Sequence, residues 1–326
     1  DVDAVCDGTN VVIAGVMEHI EEAGIHSGDS SCVTPPLSLE DDIVDALVDA
    51  TTKIARALEV VGMINVQYAV KDERVFCLEV NPRASRTVPY ISKATGVAWV
   101  KQAVRACMGE RLPENLQRPS KRSGYMAVKA PVLPFDKFPE GDSILGPEMR
   151  STGEVMGIGR TFDEAFIKAQ LAVGFRIAKE SHVFFSVANR YKLKVIFPAK
   201  ALHQMGYKLI ATEGMAQVLR SHGVPARVVP KLSSGANEII DLIDGGVIKL
   251  VINMAASQKA IEDDREIRLA ANKALVPSIT TMAGLNALVL GLMSIQTDKI
   301  SVNSLQDYIA DLSGSELTSE STISAS

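Results

Sequence analysis

Apolar positions in the first part of the chain come in short alternating runs. The opening Asp1-Val2-Asp3-Ala4-Val5 reads as a strand from its first residue. Residues 11–22 place apolar side chains at Val11, Val12, Ile13, Val16, Met17 and Ile20, a pattern that predicts a strand passing into a helix. The polar, glycine-bearing stretch 24–31 predicts a loop whose backbone amides are free to meet a ligand or solvent. Pro35-Pro36 then sets up a helix start, with Ser38 as N-cap and Asp41 and Asp42 near the positive end of the dipole. Ile43, Leu47, Ile54 and Leu58 form an apolar stripe along that helix.

Two strand-like runs, 65–70 and 75–80, follow, joined by the charged turn Lys71-Asp72-Glu73-Arg74. A helix is predicted near 97–108, and 112–122, rich in Pro, Arg and Lys, reads as a connection. The apolar segment 125–135 holds Pro131 and Pro134, which suits an edge strand better than a central one, because proline has no N–H for a ladder. From about residue 181 short β-branched runs at 183–187, 208–211, 227–229 and 249–252 alternate with helical stretches, which predicts right-handed crossovers and a mostly parallel sheet. The Ser- and Thr-rich tail, 313–326, has little to bury and is expected to be disordered.

Composition narrows the function. Lys plus Arg number 34 against 39 Asp plus Glu, a net charge of −5, which argues against nucleic acid as a partner. With 47% hydrophobic and 22% charged residues in 326, the chain can bury a core, and about 150 residues per domain suggests about two domains. Cys6, Cys32, Cys77 and Cys107 show no metal-type pairing, so a reducing, cytoplasmic location is expected. No run approaches the roughly 20 apolar residues of a bilayer span, and no basic-then-apolar leader opens the chain. The strand-like start without an initiator Met suggests a fragment cut inside a domain.

One short stretch could carry chemistry. In a regular strand Glu79 and Asn81 emerge on one side, with Leu78 and Val80 pointing the other way. If the hairpin loop takes five residues rather than four, Gln67 lies opposite Glu79, and three oxygen donors share one patch, which suits a hard cation such as magnesium. Arg83 adds the fork that phosphate or carboxylate groups prefer. A merely solvent-facing sheet accounts for Glu79 and Gln67 equally well on spacing alone.

The whole string Leu78-Glu79-Val80-Asn81-Pro82-Arg83-Ala84-Ser85-Arg86-Thr87 resembles the metal-binding signature of ATP-grasp ligases, and within them the carbamoyl-phosphate synthetase family. Ala23-Gly24-Ile25-His26-Ser27-Gly28-Asp29-Ser30, Asn65-Val66-Gln67, the block 87–96 and the block 145–157 resemble successive parts of the second synthetase half of that family's large subunit, in family order. The resemblance implies that Gln67, Glu79 and Asn81 hold Mg²⁺ or Mn²⁺ bridging ATP phosphates. It further implies that Arg83 steadies the transferred phosphoryl group, that Arg86 belongs to the same pocket, and that Gly24, Ile25, His26 and Ser27 line the nucleotide. Read without the family, His26 is a loop histidine bonded to backbone. The implied reaction is ATP-dependent phosphorylation of carbamate to carbamoyl phosphate, serving pyrimidine and arginine synthesis. The implied partners are the missing amino-terminal part of the large subunit and a glutaminase small subunit. Alone, the fragment is expected to be inactive or nearly so, and a homo-oligomer stays open.

Two effector sites come with the same resemblance. Glu21 and Asp29 match carboxylates that bind ornithine in bacterial members, whereas Ala130 replaces a third, so ornithine control is not expected. Residues 181–312 resemble the family's regulatory domain, which shares its fold with methylglyoxal synthase. There Thr212, Lys231 and Asn253, with Lys192 (Lys194 lying close by), match residues that hold a nucleotide effector of UMP or IMP type. Met215 and Met254-Ala255 depart from that pattern and cannot donate hydrogen bonds to phosphate. Methylglyoxal synthase activity is not expected, because 233–237 lacks the catalytic aspartate after Gly235. The expected fold is α/β, a partial ATP-grasp (α+β, antiparallel sheet) followed by a Rossmann-like parallel βα regulatory domain. The expected divisions are 1–112, a connecting and closing segment 113–180, 181–312 and the tail. A non-catalytic regulatory or assembly module, or another ATP-grasp ligase such as a biotin carboxylase, is the alternative.

Overall fold

Strands dominate the first half because runs rich in Val and Ile are separated by turn-forming segments. In the computed structural model, which describes residues 1–119, 124–135, 137–138, 141–254, 264–297 and 300–310, they build two antiparallel sheets. The first contains β1 (Val2–Asp7), β2 (Val11–Val16), β5 (Val61–Lys71) and β6 (Arg74–Asn81) in the order β2-β1-β5-β6. The second contains β3 (Glu18–His19), β4 (Cys32–Thr34), β7 (Met126–Val132) and β8 (Gly153–Gly159) in the order β3-β4-β7-β8. The expected tail, Ala255 and the end of the 112–122 connection lie outside the described residues.

Helix α1 (Asp41–Ala57) covers one face of the first sheet, meeting Val2, Ala4, Ile64 and Val66. The other face receives α2 (Thr87–Thr95) and α3 (Trp99–Cys107) over Val5, Ala14 and Met63, with Trp99 fully buried. The buried residues of α1 are Val44, Leu47, Thr51 and Ala55; of the expected stripe, Leu47 is among them, and Ile43 and Ile54, partly buried, pack against the same cluster. Leu58 ends the helix as its C-cap and is 54% exposed. Ser38 is not the N-cap. That position is Glu40, and Ser38 instead gives its N–H and hydroxyl to the Glu18 carboxylate, which also takes the Leu37 N–H.

Two further expectations give way to long-range pairing. No helix forms over 17–22, because Glu18 and His19 pair with Val33 and Cys32 and so draw the chain into the second sheet. β7 is an interior strand rather than an edge. Pro131 is tolerated because β4 pairs only with Ala127, Val128 and Lys129, so no neighbour on that flank needs a donor from it. On its other flank β7 pairs with β8, which lies so close to α4 (Phe162–Ala172) that a Cβ on Gly157 would sit 2.0 Å from the Ala165 carbonyl oxygen. Only glycine permits that approach.

The third sheet is parallel, as the alternation of strands and helices predicts. β9 (His182–Val187), β10 (Lys208–Thr212), β11 (Arg227–Val229), β12 (Ile248–Met254) and β13 (Ser278–Ile279) stand in the order β11-β10-β9-β12-β13. They alternate with α5 (Ile196–Gln204), α6 (Glu213–Ser221), α7 (Glu238–Asp244) and α8 (Arg265–Lys273). The order reverses at β9, and such a reversal opens a crevice at strand carboxyl ends. Helix α9 (Met282–Thr297) returns against α4, so one apolar cluster runs from Val128 and Phe166 to Leu209 and Leu288. No helix among the described residues is long and apolar enough to cross a membrane.

Candidate functional site

The hairpin of β5 and β6 turns through only two residues, Asp72 and Glu73, both at positive φ (50° and 59°). A loop that short would leave Glu79 opposite Val66, on the wrong face. A bulge corrects this. Lys71 pairs with Arg74 and Tyr68 with Cys77, then the register shifts by one residue so that Gln67 meets Glu79 and Asn65 meets Asn81. The pairing expected from a longer loop is thus reached through an extra residue in β6. Leu78 does not share the buried side with Val80: Val75, Val80 and Tyr68 pack on the α1 cluster, whereas Leu78 is 55% exposed.

Across the sheet this register makes one polar face. Gln67 and Asn81 are half-buried on it, Glu79 is exposed, and Asn65 and the fully buried Asp3 continue the row inward. Arg83 donates from Nη2 to Asn81 Oδ1 at 3.2 Å and from Nη1 to the Ala84 carbonyl at 3.1 Å. Among the described residues no three His, Cys, Asp or Glu side chains gather as a metal group. A cation here would therefore rely on one carboxylate, amide oxygens and oxygens brought by a ligand, a donor set that fits a hard divalent ion.

The structure joins Arg86 to the 24–31 loop. Arg86 Nη1 donates to the Ser151 carbonyl at 3.0 Å, and Ser151 Oγ donates to the Gly28 carbonyl at 2.9 Å. His26 N–H donates to the Gly146 carbonyl at 2.8 Å, and its Nδ1 accepts from Gly28 N–H at 3.0 Å. Nδ1 as acceptor leaves the proton of the neutral ring on Nε2. Fully buried Lys129 holds the Ser27 carbonyl at 3.0 Å. Several loop amides expected to be open to a ligand are therefore engaged, since His26, Gly28 and Asp29 all donate within the fold.

Two carboxylates near this site escaped the sequence reading. Asp3 accepts from Asn65, Ser85 and Thr87, and burial pushes its carboxyl up. Glu154 on β8 is also pushed up by burial, against the pull of Lys129, Arg86 and Lys93. A lone acid inside the apolar run of β1 was the available signal for Asp3. Glu154 had none, because its neighbours come from distant segments.

The two acids matched to an ornithine site are occupied by the protein itself. Asp29, buried, takes the Ser151 N–H on Oδ1 and the Arg150 N–H on Oδ2, each at 2.8 Å. Glu21 takes the Ser31 N–H at 2.6 Å, and burial pushes its carboxyl up to about 7. Both line a cavity of about 360 Å³ that Ala130 and Thr281 also border.

At the switch point of the parallel sheet lies a cavity of about 280 Å³ lined by Lys192, Thr212, Gly214, Lys231, Ser186 and Asp264, among others. Lys192 lines it and Lys194 does not. Asn253 stands beside it, 1% exposed, its Oδ1 receiving Arg268 Nη1 at 2.8 Å. Asp264 contacts the Ser186 hydroxyl, and burial pushes its carboxyl up. Met215 points away into the apolar cluster, so that departure leaves the cavity wall untouched, whereas Met254 does line it.

Residues 2–115 match the family model "Carbamoyl-phosphate synthase L chain, ATP binding domain", and residues 194–280 match "MGS-like domain". The chain is 49% identical over 311 residues to a carbamoyl phosphate synthase large chain of Rubrobacter xylanophilus, covering 95% of this chain and 29% of that protein. It is 45% identical over 321 residues to the "Carbamoyl phosphate synthase large chain, C-terminal section" of Methanocaldococcus jannaschii, covering 95% of this chain and 52% of that protein. The chain thus spans between about three-tenths and about half the length of these relatives. A solved structure of the biotin carboxylase subunit of pyruvate carboxylase aligns with a TM-score of 0.40 at 15% identity, over 52% of this chain and 44% of that one.

Proposed function

Because the chain belongs to the carbamoyl-phosphate synthase large-chain family, we propose that it forms the carboxyl-terminal part of a synthase that phosphorylates carbamate with ATP to give carbamoyl phosphate. The observation that carries this reading is the bulged register that sets Gln67 against Glu79 and Asn81 beside them, with the Arg83 guanidinium on Asn81. Gln67, Glu79 and Asn81 would hold a divalent ion, Mg²⁺ or Mn²⁺, which when bound neutralises phosphate charge. Arg83 and Arg86 add fixed donors where negative charge spreads over the transferred phosphoryl oxygens, and such positioning with charge stabilisation is most of what phosphoryl transfer needs. Gly24 to Ser27 form the nucleotide side of the site, their backbone braced by Gly146 and Lys129.

The crevice over Lys192, Thr212 and Lys231 takes the phosphate of a UMP- or IMP-type effector. Two lysines and the start of α6 supply positive potential, and Asp264 offers an acceptor for a hydroxyl. The partners in this reading are an upstream synthetase segment and a glutaminase small subunit. The place of action is the cytoplasm, and the product feeds pyrimidine and arginine synthesis. Alone, the 326-residue chain turns over little or nothing.

A fusion tests the reading. The segment that precedes the match in the Rubrobacter relative is joined to Asp1, and ADP and carbamoyl phosphate are measured with ATP, bicarbonate and ammonia. Carbamoyl phosphate with stoichiometric ADP supports it. A folded fusion that releases no ADP leaves the alternative, a module that keeps the fold without turnover.

A further inference from the structure

An ionisable group at the centre of a sheet is costly unless it is satisfied, and an apolar side chain would fill the same space without that cost. Asp3 stands on β1, between β2 and β5, and is fully buried. All three of its side-chain partners come from the segments that frame the proposed site. Oδ1 accepts from Asn65 Nδ2 and Ser85 Oγ, each at 2.9 Å, and Oδ2 accepts from Thr87 Oγ1 at 2.6 Å. Asn65 is the cross-strand partner of Asn81 and stands two residues before Gln67 on the same face. Ser85 and Thr87 flank Arg86. The two hydroxyls also meet each other at 2.6 Å, which closes a ring of three polar contacts.

Helix α2 makes the placement more pointed. Its N-cap, Arg86, makes no side-chain capping bond, and its first turn contains no acid. The Asp3 carboxyl accepts from the hydroxyl of Thr87, the first residue of that helix, and so brings its oxygens near the positive end of the helix. The loop from β6 to α2 is thereby tied at its far end to Asp3, at its near end by Arg83 N–H to the Asn81 carbonyl at 2.8 Å, and across by Arg86 to Ser151.

We propose that Asp3 is a positioning residue of the phosphoryl-transfer site: through Ser85, Thr87 and Asn65 it locks the loop bearing Arg83 and Arg86 to the strand bearing Gln67. The proposal rests on the functional reading above. Among the described residues, the side-chain hydrogen bonds of Asp3 go to Asn65, Ser85 and Thr87 and to none of the proposed site residues. It sets where the two guanidinium groups can stand relative to the Gln67, Glu79 and Asn81 face, and so acts on transition-state stabilisation more than on ground-state nucleotide binding.

The decisive substitutions are Thr87→Val, which removes the hydroxyl but keeps the shape, Thr87→Ser, which restores it, and Asp3→Asn. Hydrogen exchange on the 326-residue chain reads the lock without any activity. Thr87→Val is expected to speed exchange at residues 83–88 and leave β1, β2 and α1 unchanged, whereas Thr87→Ser behaves as the parent. In the fusion, Thr87→Val and Asp3→Asn are expected to lower kcat for ADP formation about tenfold or more while KM for ATP moves less than about threefold, with Thr87→Ser within about twofold of the parent. Unchanged exchange at 83–88, an unchanged kcat, or a loss that Thr87→Ser fails to restore overturns the proposal. Should Asp3→Asn not fold, the Thr87 pair decides. A fusion silent with every residue native sinks the functional reading and this proposal with it, whereas an active fusion indifferent to the variants sinks only the proposal.

Discussion

Arg268 grips Asp142 with two prongs, Nε to Oδ1 at 2.6 Å and Nη2 to Oδ2 at 2.8 Å, and its guanidinium is fully buried. Its third nitrogen reaches Asn253 Oδ1 at 2.8 Å, and Asn272 donates to the Gly141 carbonyl at 2.7 Å. A helix of the parallel sheet layer is thus clamped to the segment between β7 and β8. Beyond Asp142 the links continue, since Arg150 donates to its carbonyl and Asp29 receives the Arg150 N–H. Burial alone would push the Asp142 carboxyl up, but the Arg268 hydrogen bonds, the Ile144 N–H and the neighbouring positive charge hold it below its ordinary value.

Removing Arg268 leaves the partly exposed Asp142 carboxylate without its partner and the buried Asn253 Oδ1 without a donor. Arg268→Met should therefore cost about 1–3 kcal/mol, read by urea unfolding. Asp142 adds a pH dependence of known sign: its folded value is depressed, so its stabilisation is present above 3.8 and fades as pH falls through the lower folded value. A loss under about 1 kcal/mol in Arg268→Met would show that the clamp is idle.

Glu79 is the one carboxylate among the three proposed cation ligands. Glu79→Gln keeps the size and removes the charge, and in the active fusion it should lower kcat by about 100-fold or more. Manganese binding followed by electron paramagnetic resonance should weaken in parallel. A variant that binds Mn²⁺ and turns over as the parent does would place the cation elsewhere.

For the effector crevice, Lys231→Met should weaken UMP or IMP binding by about 1.5–3 kcal/mol, the range for a charge-assisted hydrogen bond. Titration calorimetry on the full chain reads it. Heat of equal size from parent and variant would exclude Lys231 from the phosphate.

Glu21 has a folded pKa near 7 against an ordinary 4.5, raised by burial. A raised carboxyl favours the protonated folded state, so its contribution is fully present below 4.5 and lost as pH rises through about 7. The difference is worth about 3 kcal/mol at most. Glu21→Gln should flatten the fall in stability between those values, as followed by chemical denaturation across the pH range. A parental slope retained in the variant would assign the effect to another group.

Much of the proposed site was legible from residue type and local spacing. Glu79, Asn81 and Arg83 could be read from one strand and its exit, and the hairpin between β5 and β6 from its charged turn. The pairing of Gln67 with Glu79 was legible only as a condition, because a bulge and a longer loop give the same opposition. Asp3 looked like an ordinary strand acid, since its three partners lie 62, 82 and 84 residues away.

By themselves the residues determined the chemistry on offer: oxygen donors and guanidinium groups in one segment, lysines and a helix start in another, and alternating patterns that force antiparallel and then parallel sheets. These are properties of side chains and near neighbours. Only the tertiary structure decided that β7 is interior, that Asp29 accepts from the Arg150 and Ser151 N–H groups, and that Met215 and Met254 both lie in the core while only Met254 also borders the crevice. Register, burial and hydrogen-bond partnership depend on which distant segments meet, and no local pattern encodes that meeting.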